Sequence, residues 1–335
     1  MGFDTFIGNR TVADRLRTKL REGRFPHGLI FSGPDGVGKR TFALMIAKAL
    51  NCGTSGPKDF CGECAQCRKV DSGSHADVRF VTVEEEASEI KIAQIRQVLQ
   101  MLDFQPLEGA NKVFIIDPAN LMNDASKNAL LKGLEEPPEN SFFFLLTHNV
   151  HELPLTVRSR CQVYHFAPLT LDEVRNNGIA DDLLVRWSQG SIGRARSLDA
   201  AALKEQRELL LGFLETAIGA DETQFRDMLA ASADISRSKN EFGGYLVVLM
   251  VLLSDLLHLK AGDTERIVNI DIHTRMEALV QEVPIERILA VGDFLRFVEN
   301  SMKNYVNRQM LTDVLALTAS GSAEKILNDN AAKSR

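Results

Sequence analysis

The sequence lacks an apolar run long enough to cross a lipid bilayer. Its longest run, YLVVLMVLL at 245–253, has nine residues, whereas a transmembrane helix needs about 18 or more. Residues 1–20 also lack the apolar core of a secretory signal peptide. We therefore expect a cytoplasmic protein that does not associate with membranes.

The sequence also lacks an excess of positive charge. Its 335 residues carry a formal net charge of -6, which argues against a protein that coats nucleic acid through a global positive field. Residues 1–50 nevertheless contain nine Lys or Arg and four Asp or Glu. Any contact with nucleic acid is therefore expected to be local or shared with partners.

Strand patterns are absent beyond about residue 170. Before that point, apolar runs that predict strands alternate with helical patterns. The predicted strands lie at 27–33, 77–83, 111–117 and 140–149, and the helices between them at 41–50, 90–102 and 125–136. This alternation predicts a parallel sheet with helices on both faces.

From residue 172 onward, nearly all of the sequence has helical periodicity, in a short segment to about 198 and a longer region at 203–327. The length allows two or three domains. We predict an α/β domain at 1–168, a small helical segment at 169–202 and an all-α domain at 203–335.

GPDGVGKRT, at 33–41, is close to the phosphate-binding loop G-x-x-x-x-G-K-[ST] and lies between a predicted strand and a predicted helix. Arg40 stands where the template has a metal-binding hydroxyl. Thr41 comes one residue late, which turns its side chain by about 100° on a helix. A glycine-rich turn that caps a helix is the structural alternative. We predict an ancestral nucleotide site for ATP with Mg²⁺, formed by Gly33, Gly36, Gly38, Lys39, Arg40 and Thr41.

Asp117 ends the predicted strand NKVFIID, where a phosphate-loop enzyme holds its metal through a carboxylate. An ordinary strand-end aspartate is the alternative. Pro118 follows it at the position where such enzymes usually carry the carboxylate that activates water. Loss of a general base typically costs about 10²–10⁴ in rate, so we expect little or no ATP hydrolysis by this chain.

Four of only five cysteines share a spacing typical of a metal site, C-x₈-C-x₂-C-x₂-C. Four thiolates at such spacings can converge on one tetrahedral zinc ion and leave no open coordination position. Disulfides are disfavoured in a reducing cytoplasm, and His75 is more typical of a turn or helix cap than of a fifth ligand. We predict a structural zinc in an insertion at 52–67, held by Cys52, Cys61, Cys64 and Cys67.

Several stretches together resemble the clamp-loader branch of the AAA+ ATPases. They are HGLIFSGPDGVGKRT, the four cysteines, NKVFIIDPANLMNDASKNALLKGLEEPPENSFFFLLTHN, LPLTVRSRCQ and GSIGRA. The motifs cover residues 1 to about 200, and the helical remainder is similar in architecture alone. The resemblance implies a P-loop AAA+ domain at 1–168, a helical lid at 169–202 and a C-terminal collar at 203–335.

The resemblance also implies roles for three further residues. Arg160, in VRSRC, matches an arginine finger that acts on ATP held by a neighbouring subunit, although a solvated surface charge is the alternative. Thr147 matches the sensor-1 position and Arg194, in GSIGRA, the sensor-2 position.

The function implied is that of one subunit in a hetero-pentameric ring, with gamma/tau and delta subunits, that opens a sliding clamp and loads it on primed DNA. The departures at Arg40 and Pro118 favour a stator-like subunit over a motor. The alternatives are an active gamma/tau-type motor or other AAA+ ATPase, in which Thr41 rescues metal binding, and a free-standing zinc-dependent DNA-binding module.

Overall fold

The computed structural model describes residues 2–55, 59–85, 87–219, 225–237, 242–301 and 307–321. The chain divides into two compact units, Met1–Ser197 and Leu198–Arg335. Each unit has its own core and is described by itself.

The first unit is built on a parallel five-stranded sheet in the order β2-β3-β4-β1-β5. Every residue of β1, β3 and β4 is buried, which explains their continuous apolar sequences, because both faces of the sheet are covered. The strands are β1 Gly28–Ser32, β2 Val78–Val81, β3 Lys112–Ile116, β4 Ser141–Thr147 and β5 Gln162–His165.

Strand β5 has no counterpart among the predicted strands. It pairs with β1 alone, at the edge of the sheet, and only Tyr164 among its four residues is buried. An edge strand with one buried residue carries too weak an apolar pattern to be recognised from sequence.

Two apolar cores cover the two faces of the sheet, since alternate residues of a strand point to opposite faces. Phe31 and Phe144 belong to one core, whereas Ile30 and Leu145 belong to the other. In chain order, the α-helices of this unit are α1 Arg10–Arg21, α2 Lys39–Asn51, α3 Ala65–Asp71, α4 Ile92–Leu102, α5 Asp124–Glu135, α6 Leu155–Arg158, α7 Leu171–Arg175, α8 Asp182–Trp187 and α9 Ile192–Ser197.

Helices α7, α8 and α9 form a small helical segment with its own core of Leu169, Val174, Val185 and Ala195. Thr170 caps α7, because its hydroxyl accepts from Glu173 N at 3.2 Å while the Glu173 carboxylate accepts from Thr170 N at 2.9 Å. This is the segment for which the sequence predicts a lid.

All the secondary structure described for the second unit is helical. Its helices are α10 Ala200–Gly219, α11 Phe225–Arg237, α12 Phe242–Lys260, α13 His273–Glu282, α14 Ile285–Ser301 and α15 Arg308–Ser320. The predicted helical region continues to 327, and residues 322–327 lie outside the described part of the chain. The predicted fold class, a parallel α/β domain followed by a helical C-terminal region, is confirmed.

Helix α12 is long and apolar enough to cross a membrane by length and composition, with a mean hydropathy of 1.9 in its most apolar window. Within this unit, however, 56% of that window is buried, and α12 packs against α10, α13 and α14. It also contains Asp255, which is fully buried and accepts hydrogen bonds from the backbone of Val268 and Asn269. Burial in the helical core accounts for its composition.

Candidate nucleotide and metal sites

The glycine-rich loop connects β1 to α2, at the carboxyl edge of the sheet, where ligands of open α/β sheets bind. Gly33, Gly36 and Gly38 have φ values of 155°, 75° and 100°, which other residues rarely adopt. A Cβ at Gly33 would lie 2.1 Å from Phe166 O, and one at Gly36 would lie 2.1 Å from Ser191 Oγ. Glycine is therefore required by both backbone conformation and space.

Lys39 is the first residue of α2, and its side chain is turned back into the loop. Its Nζ donates hydrogen bonds to the carbonyl oxygens of Gly33 and Pro34 and lies 3.4 Å from Asp35 Oδ1. Burial lowers the pKa of Lys39, and the Asp35 carboxylate partly opposes that shift. The loop therefore holds a desolvated ammonium group at the place where a phosphate-binding lysine is expected.

Arg40 forms an ion pair with Asp117, the residue that follows β3. Its Nε lies 3.3 Å from Asp117 Oδ2, and its Cζ lies 4.9 Å from the centre of the Phe80 ring. Burial raises the pKa of Asp117, while the charges of Arg40 and Lys39 lower it. The loop and the strand-end carboxylate predicted from sequence therefore meet, and an arginine side chain joins them.

A cavity of about 440 Å³ lies beside the loop, within the usual range for small-molecule sites. One part of its wall is charged or polar and suits phosphates, and another part is apolar and suits a nucleobase. The polar wall includes Asp35, Lys39, Arg40, Thr41, Asp117 and Arg196, and the apolar wall includes Phe6, Ile7, Leu169 and Ile192.

The two predicted sensor residues lie close to this cavity but do not line it. Thr147 is buried at the end of β4, where its hydroxyl accepts from Asn149 N at 3.2 Å and lies 3.3 Å from Asn120 Oδ1. The Arg194 guanidinium donates to Gln189 Oε1 at 3.0 Å. Arg196, two residues further along α9, lines the cavity instead. The sensor assignments remain predictions.

The helical segment 169–197 contacts the glycine-rich loop directly. Gly193 N donates to Gly36 O at 3.2 Å, and this close approach brings Ile192 and Arg196 to the cavity wall. Sequence reasoning missed Phe6, Ile7 and Arg196, because they converge on the loop only through the fold and carry no local motif.

Arg160 lies near the amino ends of the strands, whereas the glycine-rich loop lies at their carboxyl ends. It precedes β5, and the Arg160 carbonyl oxygen is close to Gly28, the first residue of β1. The glycine-rich loop begins five residues later, which is about 16 Å away at the rise of a strand. Arg160 therefore cannot reach the phosphate site of its own chain.

The Arg160 side chain is partly exposed and held by defined partners. Its Nη2 lies 2.6 Å from Glu135 Oε1, and its Nη1 donates to Thr156 O at 2.8 Å. Exposed ion pairs of this kind are weak, typically about 0–1 kcal/mol. The guanidinium can therefore exchange Glu135 for a stronger anionic partner at little cost.

The predicted cysteine cluster is assembled around the end of α2 and the start of α3. All four Sγ atoms lie within 4.8 Å of one another, with Cys52 to Cys61 at 3.7 Å and both Cys52 to Cys64 and Cys61 to Cys67 at 4.0 Å. Four thiolates at about 2.3 Å from one tetrahedral ion would be about 3.8 Å apart. The cluster therefore fits a tetrahedral metal ion, whereas disulfide bonds would need sulfurs about 2 Å apart.

Backbone N–H groups support this cluster. Cys61 Sγ accepts from the backbone of Glu63 and Cys64, which lowers the pKa of Cys61 to about 6. Cys61 is therefore available at neutral pH as a thiolate, the form that binds metal, whereas burial raises the pKa of Cys67. His75 lies outside the cluster, and its Nδ1 accepts from Asp77 N at 3.0 Å.

Comparison with known proteins identifies the family to which the chain belongs. Two family models, described as DNA polymerase III, delta subunit, and as the C-terminal part of that subunit, match residues 8–170 and 202–319. Together they cover most of the sequence. The chain belongs to the DNA polymerase III delta-subunit family.

Relatives of this delta-family chain include tau subunits of DNA polymerase III. The one from Bacillus subtilis is 34% identical over 210 residues, which are 62% of this chain and 37% of the relative. The one from Escherichia coli is 35% identical over 214 residues, 60% of this chain and 33% of the relative. The delta-family chain thus spans about a third of the length of these relatives.

Among solved structures, a gamma-subunit-related protein of DNA polymerase III from Thermotoga maritima is similar to this delta-family chain. The two are 19% identical, with a TM-score of 0.46, and the match covers 91% of this chain and 99% of the other.

Proposed function

We propose that this chain is a clamp-loader subunit of the bacterial DNA polymerase III holoenzyme and acts as a delta-prime-like stator. Family membership and the tau relatives support the complex. The stator role is supported by the altered nucleotide site. In this role the chain supplies structure and one catalytic arginine to the ring, while other subunits hydrolyse ATP.

The Arg40–Asp117 ion pair is the observation that carries this proposal. A hydrolysing P-loop site needs a hydroxyl and a strand-end carboxylate on Mg²⁺, and a second carboxylate beside the first to activate water. Here Arg40 replaces the hydroxyl and contacts the carboxylate at 3.3 Å, while Pro118 takes the place of the second carboxylate. Both substitutions are expected to prevent ATP hydrolysis at this site.

Arg160 would then serve a neighbouring subunit in trans. Its distance from its own loop, its partial exposure and its weak ion pair with Glu135 support that use. A finger arginine donates to the phosphoryl oxygens on which charge spreads during transfer.

The four-cysteine cluster would hold a structural zinc ion. The donor set of four thiolates suits zinc, and the sulfur separations suit its tetrahedral geometry. Bound zinc would fix the segment at 52–67 against the end of α2.

The proposed partners are gamma/tau and delta subunits in a hetero-pentameric ring, the sliding clamp, and primed DNA reached through the complex. The net charge of -6 is consistent with a chain that does not bind duplex DNA tightly by itself. The proposed compartment is the cytoplasm.

Isolated protein is expected to show negligible ATPase activity, below that of a motor subunit by at least about 10²-fold, because both the metal-binding hydroxyl and the water-activating carboxylate are replaced. Steady-state phosphate release by the purified chain tests this. Lys39→Ala serves as the control, since any residual rate that it leaves unchanged comes from a contaminant. Motor-like turnover that Lys39→Ala abolishes would contradict the stator role.

A gamma/tau-type motor is the second candidate. Two observations favour it: the tau names of the relatives, and the presence of Thr41 in the cavity wall. In this case Thr41 would supply the missing hydroxyl, and Thr41→Ala would abolish the ATPase activity of the isolated chain.

A further inference from the structure

We infer that the Arg40 guanidinium takes the place of the divalent cation at this nucleotide site, so that the chain binds nucleoside di- or triphosphates without Mg²⁺. This inference rests on the nucleotide-site part of the proposed function. It concerns binding alone and needs no hydrolysis.

The residues at the site do not fit a magnesium ion. Mg²⁺ requires six oxygen ligands in near-octahedral geometry, and P-loop proteins supply one from the hydroxyl after the lysine. Arg40 occupies that position and offers no acceptor. Its guanidinium also lies 3.3 Å from Asp117, so a metal ion approaching that carboxylate would meet a fixed positive charge.

Arg40 is held where that cation would act. Its Nε contacts Asp117, and the Phe80 ring lies 4.9 Å from its Cζ, a distance typical of a cation–π contact. The ion pair uses Nε, so the terminal amino groups can donate to a phosphate oxygen in the cavity that Arg40 lines. Arginine is well suited to such bidentate contacts with phosphate.

The charges around the cavity also agree with a bound polyphosphate. Lys39, Arg40 and Arg196 line it together with Asp35 and Asp117. Asp117 is neutralised by Arg40, and Asp35 lies beside Lys39. The loop glycines and the start of α2 add backbone N–H donors for an anion. The three cations exceed the two carboxylates by one charge. The cavity therefore has a net positive charge that favours bound phosphates without a metal ion.

Calorimetric titration of the full chain with ADP, in buffer with MgCl₂ and in buffer with EDTA, tests the inference. Wild-type protein is expected to bind ADP in EDTA at least as tightly as in MgCl₂, because the cations that contact the phosphates belong to the chain. Arg40→Lys should behave in the same way. Arg40→Ala should weaken binding in both buffers by about 10- to 100-fold, as expected for lost charge-assisted hydrogen bonds.

Arg40→Ser restores the hydroxyl of the template and should make binding depend on Mg²⁺, with EDTA lowering the affinity by about tenfold or more. Thermal melting and zinc content confirm that each variant folds. A wild-type affinity that falls about tenfold or more in EDTA, or wild-type protein that binds ADP in neither buffer, would overturn the inference. The stator role is tested separately, by the turnover of the isolated chain and by Arg160→Ala in the reconstituted complex, so failure of this inference can be told apart from failure of the stator proposal.

Discussion

Replacing Arg160 by alanine is expected to lower ATP hydrolysis by the reconstituted clamp loader at the site that this arginine faces by about 10³-fold or more. Such a loss corresponds to about 4–7 kcal/mol of transition-state stabilisation. The cause is the loss of a donor to the transferring phosphoryl group of ATP bound by the adjacent subunit. Single-turnover hydrolysis with clamp and primed DNA measures the effect at that site.

Folding of the Arg160→Ala variant should be unaffected, because the only charge partner described for Arg160 is the exposed Glu135. Arg158→Ala is the matched control. It removes a neighbouring arginine whose Nη1 lies 3.3 Å from His151 Nδ1, and it should leave hydrolysis close to the wild-type rate. Equal rates for wild type and Arg160→Ala would show that Arg160 is a surface charge.

Removal of one cysteine from the cluster is expected to have the largest effect on stability. Cys64→Ser should release the zinc ion, since three thiolates cannot complete a closed four-coordinate site. Structural zinc contributes about 10–16 kcal/mol of binding free energy in small zinc-dependent peptides, so even a fraction of that value would lower the melting temperature by many degrees. Metal analysis of protein prepared without chelator and thermal melting measure both effects.

Cys161→Ala is the matched control for this prediction. Cys161 is the fifth cysteine and lies outside the cluster, where burial raises the pKa of its thiol to about 12. The control should keep one zinc per chain. Wild-type protein with a stoichiometry near zero, or a Cys64→Ser variant that keeps its zinc, would contradict the assignment.

Most of the α/β fold could be predicted from sequence, because strands buried on both faces give continuous apolar runs. β1, β3 and β4 are of this kind. β5 was missed because it lies at the edge and buries only Tyr164. The cysteine cluster was predictable for another reason: its ligands are close in sequence, so their spacing already restricts the geometry.

The nucleotide site was only partly predictable. The sequence identified Arg40 and Pro118 as departures from the template, and it placed Asp117 near the loop. It did not predict that Arg40 contacts Asp117 and Phe80, because these residues lie on three different elements. The apolar wall and Arg196 were missed for the same reason. Such contacts depend on how helices and strands pack against one another, and the sequence around each residue does not indicate that packing.

Clamp loading by the reconstituted complex, with either Lys39→Ala or Arg160→Ala in this chain, tests the central claim most directly. The claim is that this chain does not hydrolyse ATP in its own site but supplies an arginine to a neighbour. We predict that the Lys39→Ala complex loads clamps on primed DNA at close to the wild-type rate and that the Arg160→Ala complex loses most of its loading activity. The reverse result, with loading abolished by Lys39→Ala and unchanged by Arg160→Ala, would contradict the claim.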